Sequence, residues 1–275
     1  MQFQIYKDLI KSLEKVSDSS DEIFIFQSQI WKTCLKYKIS AENTSKIILN
    51  AIEDFCHNKT ILFPSFSNDI IKYKKFDLTK SLPYTGILPC YCLKSRKFER
   101  TFSPLHGFLV KGPKSKEILN LKQFSTWGKN SVFEWLEKKN ARWVAINLKW
   151  SEGCAFHHRS EEVAKVPYRY HINYYGKLFN NGKYIKNIKE KKYSYSLKAI
   201  PKFNFNIWPK IFKKDDTREY LYNEGIKLRS ALTRTITKRS VEFFRNDPYA
   251  SITNKNQVKR WVKLEKKEEV EKQDI

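Results

Sequence analysis

His158 and Glu161 stand three residues apart, with Glu162 four from the histidine, in the stretch GCAFHHRSEEVAKVPYR. On a helix these spacings place a carboxylate on the same face as the imidazole. An imidazole titrates near neutrality, and a neighbouring carboxylate fixes its tautomer and stabilises the imidazolium formed when it takes a proton. The pair therefore suits general-base chemistry, such as removing a proton from an amine as the nitrogen attacks a thioester. A helix-surface ion pair uses the same spacing and does no chemistry. Cys154 lies four before His158, a separation that permits a Cys–His nucleophile pair, and a small buried core cysteine reads the same way in sequence. His157, His158, the carboxylates, Cys90 and Cys92 are metal-ligand types, but no pair has a recognised zinc spacing, and no metal is expected.

These residues need elements to hold them. Arg142-Trp-Val-Ala-Ile-Asn-Leu reads as a buried central strand, and residues 154–165 after it as a short helix stopped before Pro167 and followed by another strand. Upstream, Leu9, Ile10, Leu13 and Val16 mark a helix over residues 7–16, EIFIFQS a strand, Ser40 the cap of a second helix, and Thr60–Phe63 a strand ending at Pro64. Residues 69–100, rich in Lys, Pro and Ser, suit a long surface loop placed to cover a site. A strand starts at Gly107, and short helices are expected over 115–121 and 131–139. Residues 176–215 read as antiparallel strands, and residues 217–246 as one long helix with Leu221, Gly225, Leu228, Leu232, Ile236 and Phe243 along a stripe. Alternating strands and helices argue for an α/β sheet. One domain over residues 1–250 is expected, followed by a charged, flexible tail over 251–275.

The whole chain narrows the choice of function. Its 275 residues carry 53 Lys and Arg against 29 Asp and Glu, a formal charge of +24. Such a surface attracts phosphates, nucleic acid or acidic proteins, although a Lys- and Asn-rich genome gives the same excess. No run approaches the roughly 18 to 20 apolar residues of a membrane span, and the N-terminus has no signal-peptide core. Five cysteines form an odd set without a secretion signal. A cytoplasmic address is therefore expected.

From about Glu22 to Tyr175 the chain resembles the aminoglycoside 3-N-acetyltransferase family. FHHRSEEVAKVPYR is similar to the family's Phe-Leu-His-x-x-Glu-Glu-x-x-x-Val-Pro-Tyr-Arg pattern and directly follows a hydrophobic strand, as it does there. ILFPSFS, TFSPLHGFLVKGP and STWGKNSVFEWL resemble, in order, the family's Pro-Thr-Phe, His-Pro-x-His-Ser and Pro-Phe-Gly-x-x-Ser-x-Tyr segments. The resemblance implies an antibiotic N-acetyltransferase-like fold, a mixed central sheet with flanking helices. It implies acetyl-CoA, or another acyl-CoA, as co-substrate, His158 as catalytic base, Glu161 as its partner and His106 near the reaction centre. CoA would lie near the first strand and the turn from Gly128 to Ser131. Independently, a Gly-x-x-Ser turn opening a helix offers N–H groups to a pyrophosphate, and Ser28 at a strand end does likewise. Gly128 also fits an ordinary turn. His106 fits either a donor to the thioester carbonyl or a structural histidine. The chain departs from the family in having no glycine in QSQIWKTCLKYKIS after its first strand, so a pyrophosphate cradle there must be built differently. Ser103 replaces the family's first His before Pro, and nothing past Gly176 matches.

An aminoglycoside is a polycation whose site should be lined with carboxylates, which this basic chain lacks in bulk. A nucleotide-linked amino sugar destined for a surface glycan suits it better, bringing a pyrophosphate and a base to stack on aromatic side chains. An acidic acyl carrier protein is an alternative donor. A non-catalytic nucleic-acid-binding protein is the rival of another class, using Lys227, Arg229, Arg234, Lys238, Arg239 and Arg245 on the expected long helix, though no base-reading motif accompanies them.

Overall fold

Strands with near-continuous apolar runs must be covered on both faces, and the centre of the molecule is built from three of them. The computed structural model describes residues 2–123, 125–195 and 199–265. The N-terminal part comprises α1 (Gln2–Val16), β1 (Ile23–Ser28), α2 (Trp31–Tyr37), α3 (Ala41–Phe55), β2 (Thr60–Pro64), α4 (Asp69–Tyr73) and β3 (Lys75–Asp77). Next come α5 (Ile87–Ser95), β4 (Glu99–Arg100), β5 (Phe108–Lys111), α6 (Ser115–Leu119), α7 (Val132–Lys138) and β6 (Arg142–Ile146). The remainder is α8 (Phe156–Ala164), β7 (Arg169–Asn180), β8 (Lys183–Tyr195), α9 (Trp208–Ile211), β9 (Thr217–Asn223), β10 (Ile226–Leu232), α10 (Thr233–Asn246) and α11 (Lys255–Glu265).

The main sheet is mixed, in the order β4-β5-β2-β1-β6-β10-β9. Its centre, β2-β1-β6, is parallel, with Ile25 beside Leu62 and Phe26 beside Val144. Alternation along β1 sends Ile23 and Ile25 to one face and Phe24 and Phe26 to the other. The second face packs Ile5, Leu9 and Leu13 of α1 and Ile48 and Ile52 of α3. The first packs Phe133 and Leu136 of α7, Phe156 of α8 and Ile236 and Phe244 of α10. Ser40 Oγ accepts the Asn43 N–H at 3.2 Å, the expected cap of α3. A smaller sheet, β3-β7-β8, lies apart from the first, and its long β7–β8 hairpin is antiparallel.

Four expectations change. Residues 217–246 are a β-hairpin plus a helix, because Asn223 Oδ1 accepts the Gly225 and Ile226 N–H groups and turns the chain. Ile226, Leu228 and Ser230 then point inward at period two, and β10 pairs with the central β6. Lys227 and Arg229 consequently lie on a strand, not on a continuous basic helix. The segment over 69–100 contains α4, β3, α5 and β4, with Ile70, Phe76, Leu88 and Cys92 buried. It is part of the core, and only Tyr84, Thr85 and Gly86 reach the cavity described below. Within residues 176–215 the antiparallel strands end with β8: residues 199–215 hold short helical turns and one isolated bridge at Phe203, and residues 196–198 lie outside the described residues. The stretch expected to begin a flexible tail bridges Ile252 to Phe203 and forms α11, whose Val258 and Val262 are buried. Residues 266–275 of that stretch lie outside the described residues.

A buried cation anchors the start of the central strand. Arg142 donates to Asp21 through Nε, to Asp18 through Nη2 at 2.7 Å, and lies within reach of Ser230 Oγ. Its side chain and that of Asp21 are both buried, so removing one charge leaves the other without compensation. Arg142→Ala is expected to destabilise the fold by about 3–5 kcal/mol. Urea unfolding followed by far-UV circular dichroism measures this, and a loss below about 1 kcal/mol would mean the pair is not structural.

Candidate active site

The parallel strands β1, β2 and β6 end on the same edge of the sheet, at Ser28, Pro64 and Ile146. In open α/β sheets the carboxyl edge of such strands is where crevices form. The chain leaving β6 passes through residues 147–155 and enters α8, whose Phe156 is buried in the core while His158 faces a cavity. Lys165 ends α8 in the left-handed conformation, and Pro167 prevents its continuation. The reversal brings Tyr168 and Arg169 back over Glu161.

Glu161 is 2% exposed and is held by three donors. Tyr168 Oη donates to Oε1 at 2.8 Å, Arg169 Nη2 to Oε2 at 2.8 Å, and His158 Nδ1 lies 2.9 Å from Oε2. Burial alone would raise the Glu161 carboxyl, but Arg169 and His158 outweigh it and hold it at about 2. The carboxylate is therefore ionised at neutral pH and accepts a hydrogen bond from His158 Nδ1–H. Arg169 Nη2 is also 3.3 Å from Nδ1, but its shorter contact is to the carboxylate. With Nδ1 bearing the hydrogen, the Nε2 lone pair is left as the basic site. Burial lowers His158 below the ordinary imidazole value; Glu161 pulls it up, while Arg169 and Lys192 push it down. The neutral, proton-accepting form thus predominates at pH 7.

Two cavities open beside this histidine. The larger, about 500 Å³, runs from the β1 edge at Gln27 and Ser28 past Tyr84, Trp150 and Trp208 to His158. The smaller, about 370 Å³, lies under the β7–β8 hairpin. His106, Trp127 and His158 belong to both. His106 sits against Trp127 and Phe66, with ring centroids 4.1 and 4.7 Å away, and its Nδ1 is buried without a partner. Burial keeps it well below the ordinary imidazole value, so it is neutral.

The expected site residues divide. His158, Glu161, His106 and Ser28 come together at the larger cavity. Gly128 and Ser131 do not line it. The Gly128 N–H is taken by Ser125 Oγ at 3.1 Å, and its carbonyl accepts Ser131 Oγ at 2.7 Å. Ser131 is fully buried and caps α7 through the Glu134 N–H, so neither offers a free N–H to a pyrophosphate. A Cβ on Gly128 would meet Glu162 Oε1, the far end of a side chain that would have to turn aside. Burial pushes the Cys154 thiol up to about 12, leaving it a core thiol rather than a thiolate nucleophile. His157 stacks on Trp208 at 3.4 Å and shares a hydrogen bond with Ser240 Oγ at 3.2 Å. Among the described residues no three His, Cys, Asp or Glu side chains are grouped as metal ligands. Tyr168 and Arg169, which complete the Glu161 cluster, stand in the quoted motif but showed no role in sequence. Lys192, Trp150, Trp208, Phe203 and Phe205 carried no local signal, because they reach the cavities from distant parts of the chain.

Among the described residues no helix is long and apolar enough to cross a membrane. No curated protein matches the chain in sequence. Solved structures share its fold. Aminoglycoside acetyltransferase AAC(3)-IVa, as apoenzyme, aligns with TM-score 0.68 at 15% identity, covering 93% of this chain and 96% of that one. AAC-IIIb in binary complex with CoASH aligns at 0.70 and 12%, covering 88% and 96%. AAC-VIa bound to sisomicin aligns at 0.71 and 13%, covering 88% and 97%. A family model for aminoglycoside 3-N-acetyltransferases matches residues 35–219, more than half of the chain. The chain belongs to that family, and is accordingly an N-acetyltransferase with acetyl-CoA as co-substrate.

Proposed function

We propose that this protein transfers an acyl group directly from acyl-CoA to the amine of an amino sugar, with His158 as general base, and that the acceptor is nucleotide-linked. The observation that carries the reading is the Glu161-oriented His158 on the wall shared by two cavities, which suits a ternary complex in which donor and acceptor meet at one imidazole. The donor would extend along the larger cavity by Ser28, with its thioester toward His106.

In this mechanism the acceptor enters as a neutral amine, and its nitrogen attacks the thioester carbonyl carbon. Nε2 of His158 takes the proton released as the C–N bond forms, and Glu161 stabilises the imidazolium. Neutral His106 donates an N–H to the carbonyl oxygen as it becomes negative. The intermediate collapses by breaking the C–S bond, and the proton passes from His158 to the departing sulfur. No covalent enzyme intermediate forms.

The acceptor reading rests on charge. The smaller cavity is lined by Arg169 and Lys192, and no Asp or Glu lines it among the described residues. Such walls disfavour a polycation and favour an acceptor carrying phosphates. The excess of 53 basic over 29 acidic residues points the same way. It also keeps an acidic acyl carrier protein as an alternative donor. The setting would be the cytoplasm, where acyl-CoA and nucleotide sugars are both available, on a route to a surface glycan.

Three results are expected. His158→Ala lowers kcat by about 10²- to 10⁴-fold in a CoA-thiol release assay, whereas Cys154→Ala retains most activity; an acylated Cys154 on mass spectrometry would replace direct transfer with an acyl-enzyme route. With its pKa lowered, His158 should give kcat/KM an acid limb below pH 6.5. Glu161→Gln removes a group that raises that pKa, so the limb should move to still lower pH while kcat falls; a limb moving upward contradicts the assigned pairing. Finally, nucleotide-linked amino sugars should be acetylated in preference to free amino sugars and aminoglycosides, and equal rates across that panel would remove the nucleotide from the reading.

A further inference from the structure

The two cavity cations are not equivalent. Arg169 is committed to Glu161, and its guanidinium lies 5.5 Å from the Tyr195 ring and 5.4 Å from that of Phe203. Lys192, on β8, lines the same cavity with no ion-pair partner for its ammonium among the described residues. Glu190 lies two positions before it, on the same face of β8, but is bound elsewhere. The Glu190 carboxylate accepts Ser103 Oγ, the Leu105 N–H at 2.9 Å and Thr126 Oγ1 at 3.2 Å, tying two loops to the hairpin. Burial, followed by the charge of Arg169, pushes Lys192 down to about 8, with Glu190 opposing only in part.

A half-buried ammonium beside another cation is costly unless an anion accompanies it. Around it, Ile172 and Tyr174 give the cavity an apolar wall, and Tyr195 and Phe205 stand partly exposed at its margin. A phosphate entering beside them would supply the missing counter-charge, and its remaining substituent would meet aromatic faces.

We propose that Lys192 is the specificity-determining residue of an anion subsite in the smaller cavity, binding a phosphate of the acceptor next to the amine that His158 deprotonates. This rests on the acyltransferase reading for the identity of the ligand, but the subsite can be measured without turnover. The shared chemistry is a phosphate ester, borne either by a nucleoside diphosphate leaving group or by the sugar itself.

The test is calorimetric binding of uridine diphosphate and of inorganic pyrophosphate to the full chain in saturating CoA, so that the donor's own phosphate contacts are already occupied. Wild-type protein should bind both. K192Q should weaken binding by about ten- to a hundredfold, the loss expected for a hydrogen bond to a charged group, and K192R, which keeps the charge, should retain most of it. Tighter binding of uridine diphosphate than of pyrophosphate would support the nucleotide source. Equal binding, still dependent on Lys192, would support a phosphate on the sugar. Affinity unchanged in K192Q, or no binding of either probe to the wild type, overturns the subsite. CoA release is scored separately: Lys192-dependent binding with no transfer to any amine would leave the subsite standing and remove the acyltransferase reading of His158.

Discussion

The carboxylate of Glu161 is the constraint on which the site depends. It is an ion taken almost entirely out of water, which is tolerable only because Tyr168, Arg169 and His158 all donate to it. Each donor serves a second purpose. Tyr168 is within 3.2 Å of Ser251 Oγ and so ties α8 to the C-terminal segment. Arg169 begins β7 and so fixes where the hairpin starts after α8. His158 has its tautomer and ring orientation set. Loss of the carboxylate would therefore loosen the base, the hairpin and the C-terminal packing together.

The central sheet explains why this cluster sits where two ligands can meet. Three parallel strands deliver their ends to one edge, and the chain after β6 has only a short path to α8. The β7–β8 hairpin then roofs one side and the aromatic segment around Phe203–Trp208 walls the other. The shared wall is His106, Trp127 and His158 together with Phe203 and Phe205, contributed by separate stretches of the chain. Both histidines are kept largely neutral by burial, so neither adds to the positive charge that Arg169 and Lys192 already bring.

Much of this could be read from residue order. The helical spacing of Leu9, Leu13 and Val16, the Ser40 cap, the apolar runs of β1, β2 and β6, and the Pro167 stop all act within a few residues of themselves. For the same reason the His158–Glu161 pair was visible. The hairpin of β9 and β10 was not, because Leu221, Gly225, Leu228 and Leu232 stand at helical spacing, although in the fold Leu221 is exposed and Leu228 is buried. What decides between helix and strand is the hydrogen-bonding edge of β6 and the Asn223 turn, neither of which a periodicity contains. Gly128 and Ser131 fit an anion-binding turn equally well, until Ser125 and the Glu134 N–H are seen to use the same atoms. Lys192 stood unremarked among many lysines, since what distinguishes it is that the nearby acid Glu190 is taken up by Ser103, Leu105 and Thr126, which come from distant parts of the chain.

The position of β10 has a consequence for how the molecule comes into being. The central strand β6 needs Leu228–Leu232 along its second edge, and Glu161 needs Tyr168, whose hydroxyl is in turn steadied by Ser251. During synthesis the histidine and its carboxylate emerge long before the segments that complete their surroundings. A ribosome that has released only the first 200 residues has made every proposed catalytic side chain and no finished pocket. Strand pairings so distant in sequence form slowly. The buried charge at Glu161 is thus among the last features to be sheltered, and catalytic competence should appear only as the C-terminal segment docks.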